Sequence, residues 1–265
     1  MLVNAIAPGP IRTPLLDAET EQWRRALHCC ECSPTCSSTT KSSPTDRVRS
    51  ADLEAQRLIL DGIAGHRPDD GILAEEGVTA PSRSGLTWVV DPLDGTTNCL
   101  RGYPGWAVII CVRDGDDPVA GVVFDPSADL LYSATRGGGA HRNGDSIHVS
   151  SLASLSDAVI ATGFSYHPDL RRRQAQRLVS FLPLVADIRR GGSAALDLGQ
   201  VAEGSLDGFA EDDLGEWDWA AGELVVLEAG GNACRWSADP PASGVAASAP
   251  SIFEPLKELL TRPGS

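Results

Sequence analysis

The chain has 265 residues, of which 42% are hydrophobic, and it carries a formal net charge of −14 at pH 7. This composition suits the core of one large globular domain or two small ones, and no apolar run approaches the ~18 residues of a membrane span. The acidic balance disfavours binding to nucleic acid or to an anionic membrane, because both need a basic protein surface.

The first forty residues differ in pattern from the rest of the chain. Residues 1–40 show no sustained helical or strand period, and they contain four cysteines between Cys29 and Cys36. A single C-x₂-C pair falls short of the two pairs that a structural zinc site commonly uses. Val3–Leu15 resembles a late segment of short-chain dehydrogenases, but no glycine-rich dinucleotide fingerprint precedes it. We interpret residues 1–40 as an unmatched segment, disordered or miscoded, with a zinc site as the less favoured alternative.

The other three cysteines, Cys99, Cys111 and Cys234, are scattered along the chain. This usage is typical of small buried side chains in a reducing compartment. The first residues also lack the basic and apolar regions of a secretory signal. We therefore expect a soluble, cytoplasmic protein.

From about residue 41 the pattern becomes regular. Ser50 is a suitable cap for a predicted helix that runs to about Gly65. Strands are predicted next, at Leu86–Val90, Trp106–Arg113, Val119–Phe124 and Leu130–Thr135. The second and third of these strands form a predicted hairpin, and Asn143-Gly144 has the composition of a tight hairpin turn.

In the second half of the chain, strands and helices alternate. A strand is predicted at Val159–Thr162, followed by helices at Arg171–Leu182, Ser193–Ala202 and Asp218–Ala229. Trp217 precedes the last helix, and Gly230-Gly231 ends it. Because this alternation favours α/β architecture, we divide the regular part into an α+β half at residues 41–152 and an α/β half at residues 153–265.

The segment Asp91-Pro-Leu-Asp-Gly-Thr-Thr-Asn98 carries the strongest chemical signal. A predicted buried strand delivers two carboxylates three residues apart, and Pro92 predicts that the chain turns there. Gly95 allows the two amides that follow it to point at an anion. Carboxylates beside such amides predict a site for a hard cation that carries a phosphate. A plain turn with solvated aspartates is the alternative interpretation.

Two further acidic positions could join this site. Glu75-Glu76 follows the apolar run Ile72–Ala74, and Asp218 lies at the start of a predicted helix, where the helix dipole favours a carboxylate. Taken alone, a glutamate pair is commonly solvated and an aspartate at a helix start is commonly a cap.

Four motifs, in this order, resemble those of the inositol monophosphatase family of Mg²⁺-dependent, typically lithium-sensitive phosphatases. They are Lys41–Asp46 through Asp52, Glu75-Glu76, Asp91–Asn98, and Trp217–Gly222 through Glu228–Gly231. The resemblance covers residues 41–262. It implies an α+β / α/β fold, the layered αβαβα sandwich of this family, and a homodimer.

The resemblance also implies a metal centre of two to three Mg²⁺ ions. Glu75, Asp91 and the carbonyl of Leu93 would hold the first ion, while Asp91, Asp94 and Asp218 would hold the second. Glu75 would share a third, weaker ion. The charges are consistent with this set, because the four carboxylates are neutralised by two divalent ions. All ligands are oxygens, which favours Mg²⁺ over zinc.

Roles for the catalytic and substrate-binding residues follow from the same resemblance. Thr96, hydrogen-bonded to Asp52, would help Glu75 orient the attacking water. The amides of Gly95 and Thr96 would hold the phosphate. The alcohol part of the substrate would contact Gly192, Ser193, Ala194 and Glu211, although Ser193 could equally be a plain helix cap.

We therefore predict a phosphomonoesterase that hydrolyses inositol 1-phosphate or a similar small polyol or sugar phosphate with water as the nucleophile. Other phosphatases with the same metal site are the alternatives, namely those acting on histidinol phosphate, fructose 1,6-bisphosphate or 3′-phosphoadenosine compounds. An alternative of another class is an inactive relic that binds only a metal or a partner.

Overall fold

The computed structural model describes residues 44–236 and 244–261. Within these ranges the chain forms two mixed β-sheets and six α-helices. The helices are α1 (Pro44–His66), α2 (Thr96–Arg101), α3 (Pro168–Phe181), α4 (Ala194–Ala202), α5 (Glu216–Glu228) and α6 (Pro250–Thr261).

The first sheet, sheet A, has eight strands in the order β2-β1-β3-β4-β5-β6-β7-β8. Their bounds are β1 (Gly71–Ala74), β2 (Thr79–Ala80), β3 (Leu86–Asp94), β4 (Ala107–Asp114), β5 (Asp117–Asp125), β6 (Leu130–Thr135), β7 (Gly139–Arg142) and β8 (Asp145–Ser146). Neighbours are antiparallel, except that β1 and β3 run parallel. The carboxyl ends of β1 and β3 therefore meet at one edge of the sheet.

The second sheet, sheet B, has five strands in the order β10-β9-β11-β13-β12. Their bounds are β9 (Val159–Ala161), β10 (Asp187–Arg189), β11 (Gly208–Asp212), β12 (Asn232–Trp236) and β13 (Gly244–Ser248). The pairs β10/β9 and β9/β11 are parallel, whereas β11/β13 and β13/β12 are antiparallel.

Successive residues of a strand face opposite sides of a sheet, and this alternation builds the layers. On β3, Val90 packs with Ile59 of α1, whereas Val89 belongs to the cluster that contains Leu198 of α4 and Val225 of α5. On the outer face of sheet B, Ile160 packs with residues of α3 and α6. The order of layers is thus helix, sheet A, helices α4 and α5, sheet B, and helices α3 and α6. This is the predicted αβαβα sandwich, and the fold prediction is confirmed.

Helix α5 is buried on every side because it lies between the two sheets. All residues from Trp219 to Val226 are buried, as expected for a helix that is apolar all round. Gly222 allows close packing, since a Cβ there would lie 2.7 Å from Leu198 Cβ of α4. Two sheets therefore hold the helix that carries Asp218.

Several local predictions are confirmed. The predicted hairpin corresponds to β4 and β5, and the strand at Leu130–Thr135 is β6. Asn143 and Gly144 both adopt positive φ, at 50° and 93°, as a tight hairpin turn between β7 and β8 requires.

Two of the helices begin at a proline, earlier than predicted. Helix α1 begins at Pro44 rather than Ser50, and α3 begins at Pro168 rather than Arg171. In both cases proline is the first helical residue, where its fixed φ fits and its missing N–H leaves no intrahelical bond unmade. The repeat of apolar residues on which these predictions rest begins later in each helix, so the first helical turn was not predicted.

The predicted turn at Pro92 is wrong, because β3 continues to Asp94. Pairing with β4 shifts register between Asp91, which faces Ile109, and Asp94, which faces Ala107. The irregularity accommodates a residue without an N–H. Trp217 is likewise inside the first turn of α5 rather than before it.

Residues 1–40, including the Cys29–Cys36 cluster, lie outside the described residues. The boundary between halves at residues 152 and 153 stays a prediction. No helix in the ranges that the structure describes is long and apolar enough to span a membrane.

Candidate metal centre and substrate pocket

A cavity of about 380 Å³ opens where the carboxyl ends of β1 and β3 meet the start of α5. Its lining is strongly acidic. Six carboxylate residues line it: Glu75, Asp91, Asp94, Glu211, Asp213 and Asp218. Arg190 also lines the cavity and supplies positive charge at its wall.

Strand pairing brings the first two of these carboxylates together. Strands β1 and β3 are parallel, with Ala74 opposite Val90, so the next residues, Glu75 and Asp91, emerge side by side. The Glu75 amide donates a hydrogen bond to Val90 O at 3.1 Å, which fixes this arrangement.

Asp91, Asp94 and Asp218 form a cluster whose carboxylate oxygens lie within 4.8 Å of one another. Each carboxylate also accepts hydrogen bonds from the chain. Leu93 N donates to Asp91 Oδ1 at 2.8 Å, and Gly215 N donates to Asp218 Oδ2 at 2.6 Å. The backbone thus orients these carboxylates in advance.

Burial raises the pKa of every member of this cluster, and neighbouring carboxylates raise it further. The pKa of Asp91 is well above its ordinary value, and that of Asp218 is raised to about 8. For Asp94, burial outweighs the stabilising hydrogen bonds from Ser193 and Ala195 and raises the pKa to about 6. Divalent cations would reverse these shifts, because they favour the charged carboxylates.

Glu75 gives an independent test of whether cations fit. Its Oε2 atom is buried and has no hydrogen-bond partner. An uncompensated carboxylate oxygen beside three clustered aspartates is costly unless a cation occupies the site. The donor set is entirely oxygen, which suits a hard ion, so these residues fit divalent metal ions.

The predicted hydrogen bond between Thr96 and Asp52 is not formed. Thr96 Oγ1 instead donates to Leu93 O at 3.1 Å. Gly95, with φ of 83°, is the N-cap of α2, and the chain turns there so that the Thr96 hydroxyl reaches the carbonyl three residues earlier. Thr96 therefore contacts the predicted carbonyl ligand rather than Asp52.

Asp52 belongs to a second carboxylate cluster with Glu75 and Glu76, whose oxygens lie within 4.8 Å of one another. Asp52 is buried, and its Oδ1 has no hydrogen-bond partner. Burial, followed by the charges of Glu75 and Glu76, raises its pKa to about 7. No role of its own was predicted for Glu76, although its place beside Glu75 in the sequence could have suggested that it joins the same cluster.

Two glycine-containing loops pack directly on the metal motif. A Cβ at Gly95 would lie 3.0 Å from Gly105 O and 3.2 Å from Gly192 O. Asn98 Nδ2 donates to Gly105 O at 2.7 Å and to Gly191 O at 2.9 Å. Asn98 thus holds both loops against the site, a role that sequence analysis did not assign to this last residue of the motif.

The predicted substrate residues divide into two groups. Gly95, Thr96, Gly192, Ala194 and Glu211 line the cavity. Ser193 is only 1% exposed and does not line it. Its Oγ accepts from Leu196 N as the cap of α4 and donates to Asp94 Oδ2 at 2.6 Å, so its side chain contacts the aspartate cluster rather than the cavity.

Glu211 enters the cavity from β11. Burial, followed by the charges of Asp197 and Asp94, raises its pKa to about 8. A Cβ at Gly163 would lie 2.1 Å from either Glu211 carboxylate oxygen. The glycine therefore leaves the room that the glutamate occupies.

Sequence analysis missed one wall of the cavity, formed by residues 163–167. The hydroxyl of Tyr166 in this segment lies 2.9 Å from Thr97 Oγ1, beside the metal motif. The segment joins β9 to α3 and has no regular period, so only its position after a strand could have suggested a role.

Comparison with known proteins identifies the family of the chain. The model of the family described as "Inositol monophosphatase family" matches residues 19–261. The chain belongs to the inositol monophosphatase family. The match confirms the resemblance, and it begins inside the segment that sequence analysis left unmatched.

Curated relatives and solved structures agree with this membership. "Inositol-1-monophosphatase SuhB" of Mycobacterium tuberculosis is 43% identical over 235 residues, which cover 84% of this chain and 80% of that protein. "Nus factor SuhB" of Haemophilus influenzae is 38% identical over 227 residues, covering 84% of each. The structure of Mycobacterium tuberculosis SuhB superposes with a TM-score of 0.78 at 37% identity, covering 95% of this chain and 98% of that one.

Proposed function

We propose that this protein is a Mg²⁺-dependent phosphomonoesterase that hydrolyses inositol 1-phosphate or a similar small polyol or sugar phosphate. The observation that carries the proposal is the acidic cavity, in which three clustered aspartates adjoin a glutamate with an unpartnered buried oxygen. Family membership supports the same reaction class.

Glu75, Asp91, Asp94, Asp218 and the carbonyl of Leu93 would hold two to three Mg²⁺ ions. When bound, these ions supply positive charge at the phosphate and lower the pKa of water. The remaining chemistry of such a hydrolysis is positioning and charge neutralisation.

Glu75 and Thr96 would orient the attacking water. Glu75 Oε2 is an acceptor with no other partner. The Thr96 hydroxyl proton is directed at Leu93 O, so its oxygen keeps lone pairs that can accept a hydrogen bond from water. Asp52 would act on this pair only through Glu75, because its contacts are with the glutamates.

The alcohol part of the substrate would lie between the Gly192–Ala194 segment and Glu211. The Gly95 and Thr96 amides would donate to the phosphate oxygens, which places the ester at the metal cluster. Glu211 would then accept hydrogen bonds from the alcohol hydroxyls, and this contact would favour binding of polyol phosphates over that of simple phosphate esters.

Phosphate release by the purified full-length protein tests the proposal. We expect turnover of inositol 1-phosphate with Mg²⁺ and none with EDTA, and we expect Asp91→Asn to abolish it. Asp117→Asn is the matched control, because Asp117 has an 80% exposed side chain. Parallel assays with histidinol phosphate and fructose 1,6-bisphosphate would identify the alternative substrates.

A second candidate is a non-catalytic binding role. It is motivated by relatives whose name is "Nus factor SuhB", among them the Haemophilus influenzae protein. Mg²⁺ binding by calorimetry without turnover of any of the three phosphates would favour it over the phosphatase.

The homodimer stays a prediction, as does the cytoplasmic location. Sedimentation velocity at micromolar concentration measures the first, with a mass of twice 27.9 kDa expected.

A further inference from the structure

Gln174 connects the two segments that form one side of the cavity. The first wall is residues 163–167, and the second wall is the segment 211–214, of which Glu211, Asp213 and Leu214 line the cavity. Gln174 lies on α3, is 5% exposed, and does not itself line the main cavity. It is therefore behind both walls.

One side chain bonds each wall. Gln174 Oε1 accepts from the Ser165 amide of the first wall at 2.7 Å. Gln174 Nε2 donates to Asp212 of the second wall, both to the main-chain oxygen at 3.0 Å and to Oδ1 at 2.7 Å. A buried amide is retained only when it is hydrogen-bonded, and here both of its ends are.

Asp212 is itself held on its other carboxylate oxygen. Arg177, one helical turn after Gln174, contacts Asp212 Oδ2 at 3.0 Å, and both side chains are 12% exposed. The Arg177 guanidinium also lies 4.6 Å above the centre of a Trp236 ring. The anchor of Gln174 on the second wall is thus rigid.

The spacing of the two walls matters at the cavity surface. The walls touch where Gly163 faces Glu211, with no room for even a Cβ. At its outer end, the first wall reaches the metal motif through the Tyr166 hydroxyl and Thr97. A shift of the first wall therefore moves both the Glu211 contact and the mouth of the cavity.

We propose that Gln174 is a positioning residue that sets the separation of the two walls and thereby selects the alcohol part of the substrate. It acts without contacting the predicted metal ligands or the phosphate-binding amides. The inference rests on the proposed phosphatase function and adds to it a determinant of specificity.

Gln174→Met is the informative variant. Methionine has a similar length but cannot bond either wall. Alanine is a poorer probe, because a cavity of about 30 Å³ adjoins Gln174 and gives room for water to replace the lost bonds. The matched control is Gln176→Met, an exposed glutamine on the same helix.

The readout is a comparison of two substrates. For Gln174→Met we expect KM for inositol 1-phosphate to rise about tenfold, with kcat little changed. A tenfold change is roughly what the loss of one to two hydrogen bonds produces in an equilibrium constant. KM for p-nitrophenyl phosphate, which offers no alcohol hydroxyls, and the half-saturating Mg²⁺ concentration should both stay within about twofold of wild type. Gln176→Met should behave as wild type with both substrates.

A rescue pair separates positioning from a general loss of packing. Gln174→Glu keeps an acceptor for the Ser165 amide but sets a carboxylate against Asp212. Adding Asp212→Asn restores a donor toward position 174 and keeps an acceptor for Arg177. We expect the double variant to recover part of the inositol 1-phosphate KM that Gln174→Glu loses, even if Gln174→Met fails to fold.

Three results would overturn the inference. In Gln174→Met, KM could rise equally for inositol 1-phosphate and p-nitrophenyl phosphate, or the half-saturating Mg²⁺ concentration could shift. In the double variant, KM for inositol 1-phosphate could be as high as in Gln174→Glu. Failure of the proposed function looks different, because wild type and Gln176→Met would then turn over neither substrate.

Discussion

Ser193 Oγ donates a hydrogen bond of 2.6 Å to Asp94 Oδ2, joining the start of α4 to the metal motif of sheet A. The same oxygen accepts from Leu196 N at 3.2 Å and so caps the helix. One hydroxyl therefore both caps the start of α4 and orients a predicted metal ligand. This double use explains why a serine that resembles an ordinary cap is buried in the candidate site.

We predict that Ser193→Ala weakens Mg²⁺ binding and lowers stability. Loss of the cap costs about 1–2 kcal/mol, and loss of the hydrogen bond raises the pKa of Asp94 further, since that bond lowers it. Mg²⁺ activation curves and urea unfolding measure the two effects. Ser193→Thr keeps the hydroxyl, and a threonine variant as impaired as the alanine variant would contradict the explanation.

We predict that Asp218→Asn is more stable than wild type in EDTA and less stabilised by Mg²⁺. The amide oxygen can still accept from Gly215 N, but one of three mutually repelling carboxylates is removed. Thermal unfolding with EDTA measures the stability of the metal-free proteins, and unfolding with Mg²⁺ measures how far the ion stabilises each. Equal Mg²⁺ stabilisation of the two proteins would show that Asp218 is not a metal ligand.

We predict that the metal-free protein loses stability as the pH rises. Burial, followed by the charge of Asp94, raises the pKa of Asp218 from 3.8 to about 8, so the folded state binds this proton more tightly than the unfolded state does. Its contribution is fully present below pH 3.8 and is lost as the pH rises to about 8. Glu211, with a pKa raised to about 8, acts in the same direction.

Denaturant unfolding at several pH values in EDTA measures this slope. Added Mg²⁺ should flatten or reverse it, because the ion favours the charged carboxylates. A metal-free protein whose stability increases across this range would contradict the prediction.

We predict that Gly163→Ala raises KM for a polyol phosphate at least severalfold. The added Cβ would lie 2.1 Å from the Glu211 carboxylate, which must move away from the cavity. Gly65→Ala is the control, because nothing lies within 4 Å of a Cβ there and alanine favours a helix by about 1 kcal/mol over glycine. Unchanged kinetics of Gly163→Ala would remove Glu211 from the list of substrate contacts.

The residues of the candidate metal site could be named from the sequence because two of them belong to one short motif, and the other two are acids that follow a strand and begin a helix. Asp91 and Asp94 are three residues apart in one strand, and Glu75 follows a strand that pairs with theirs. Continuous apolar runs likewise located β4 and β5, which are buried on both faces of sheet A.

The wall at residues 163–167 could not be predicted in the same way. It is hydrogen-bonded to Gln174 through Ser165, and Gln174 also bonds Asp212 at the end of another strand, so the contacts join residues that no sequence spacing relates. The predicted hydrogen bond between Thr96 and Asp52 was wrong for a related reason. The Thr96 hydroxyl has a local acceptor in Leu93 O, and the backbone turn at Gly95, which the sequence alone does not give, decides whether it bonds Leu93 O or Asp52.

Helix α5, enclosed between the two sheets, has a consequence for synthesis of the protein. Glu75, Asp91 and Asp94 leave the ribosome long before Asp218, and the inner face of sheet A lacks its full apolar cover until both α4 and α5 have followed. The emerging chain thus carries repelling carboxylates without the segment that completes their cluster. The cluster of Asp91, Asp94 and Asp218 can therefore form only after the chain has been translated through α5, and a product that ends before α5 would lack both this cluster and part of the apolar cover of sheet A.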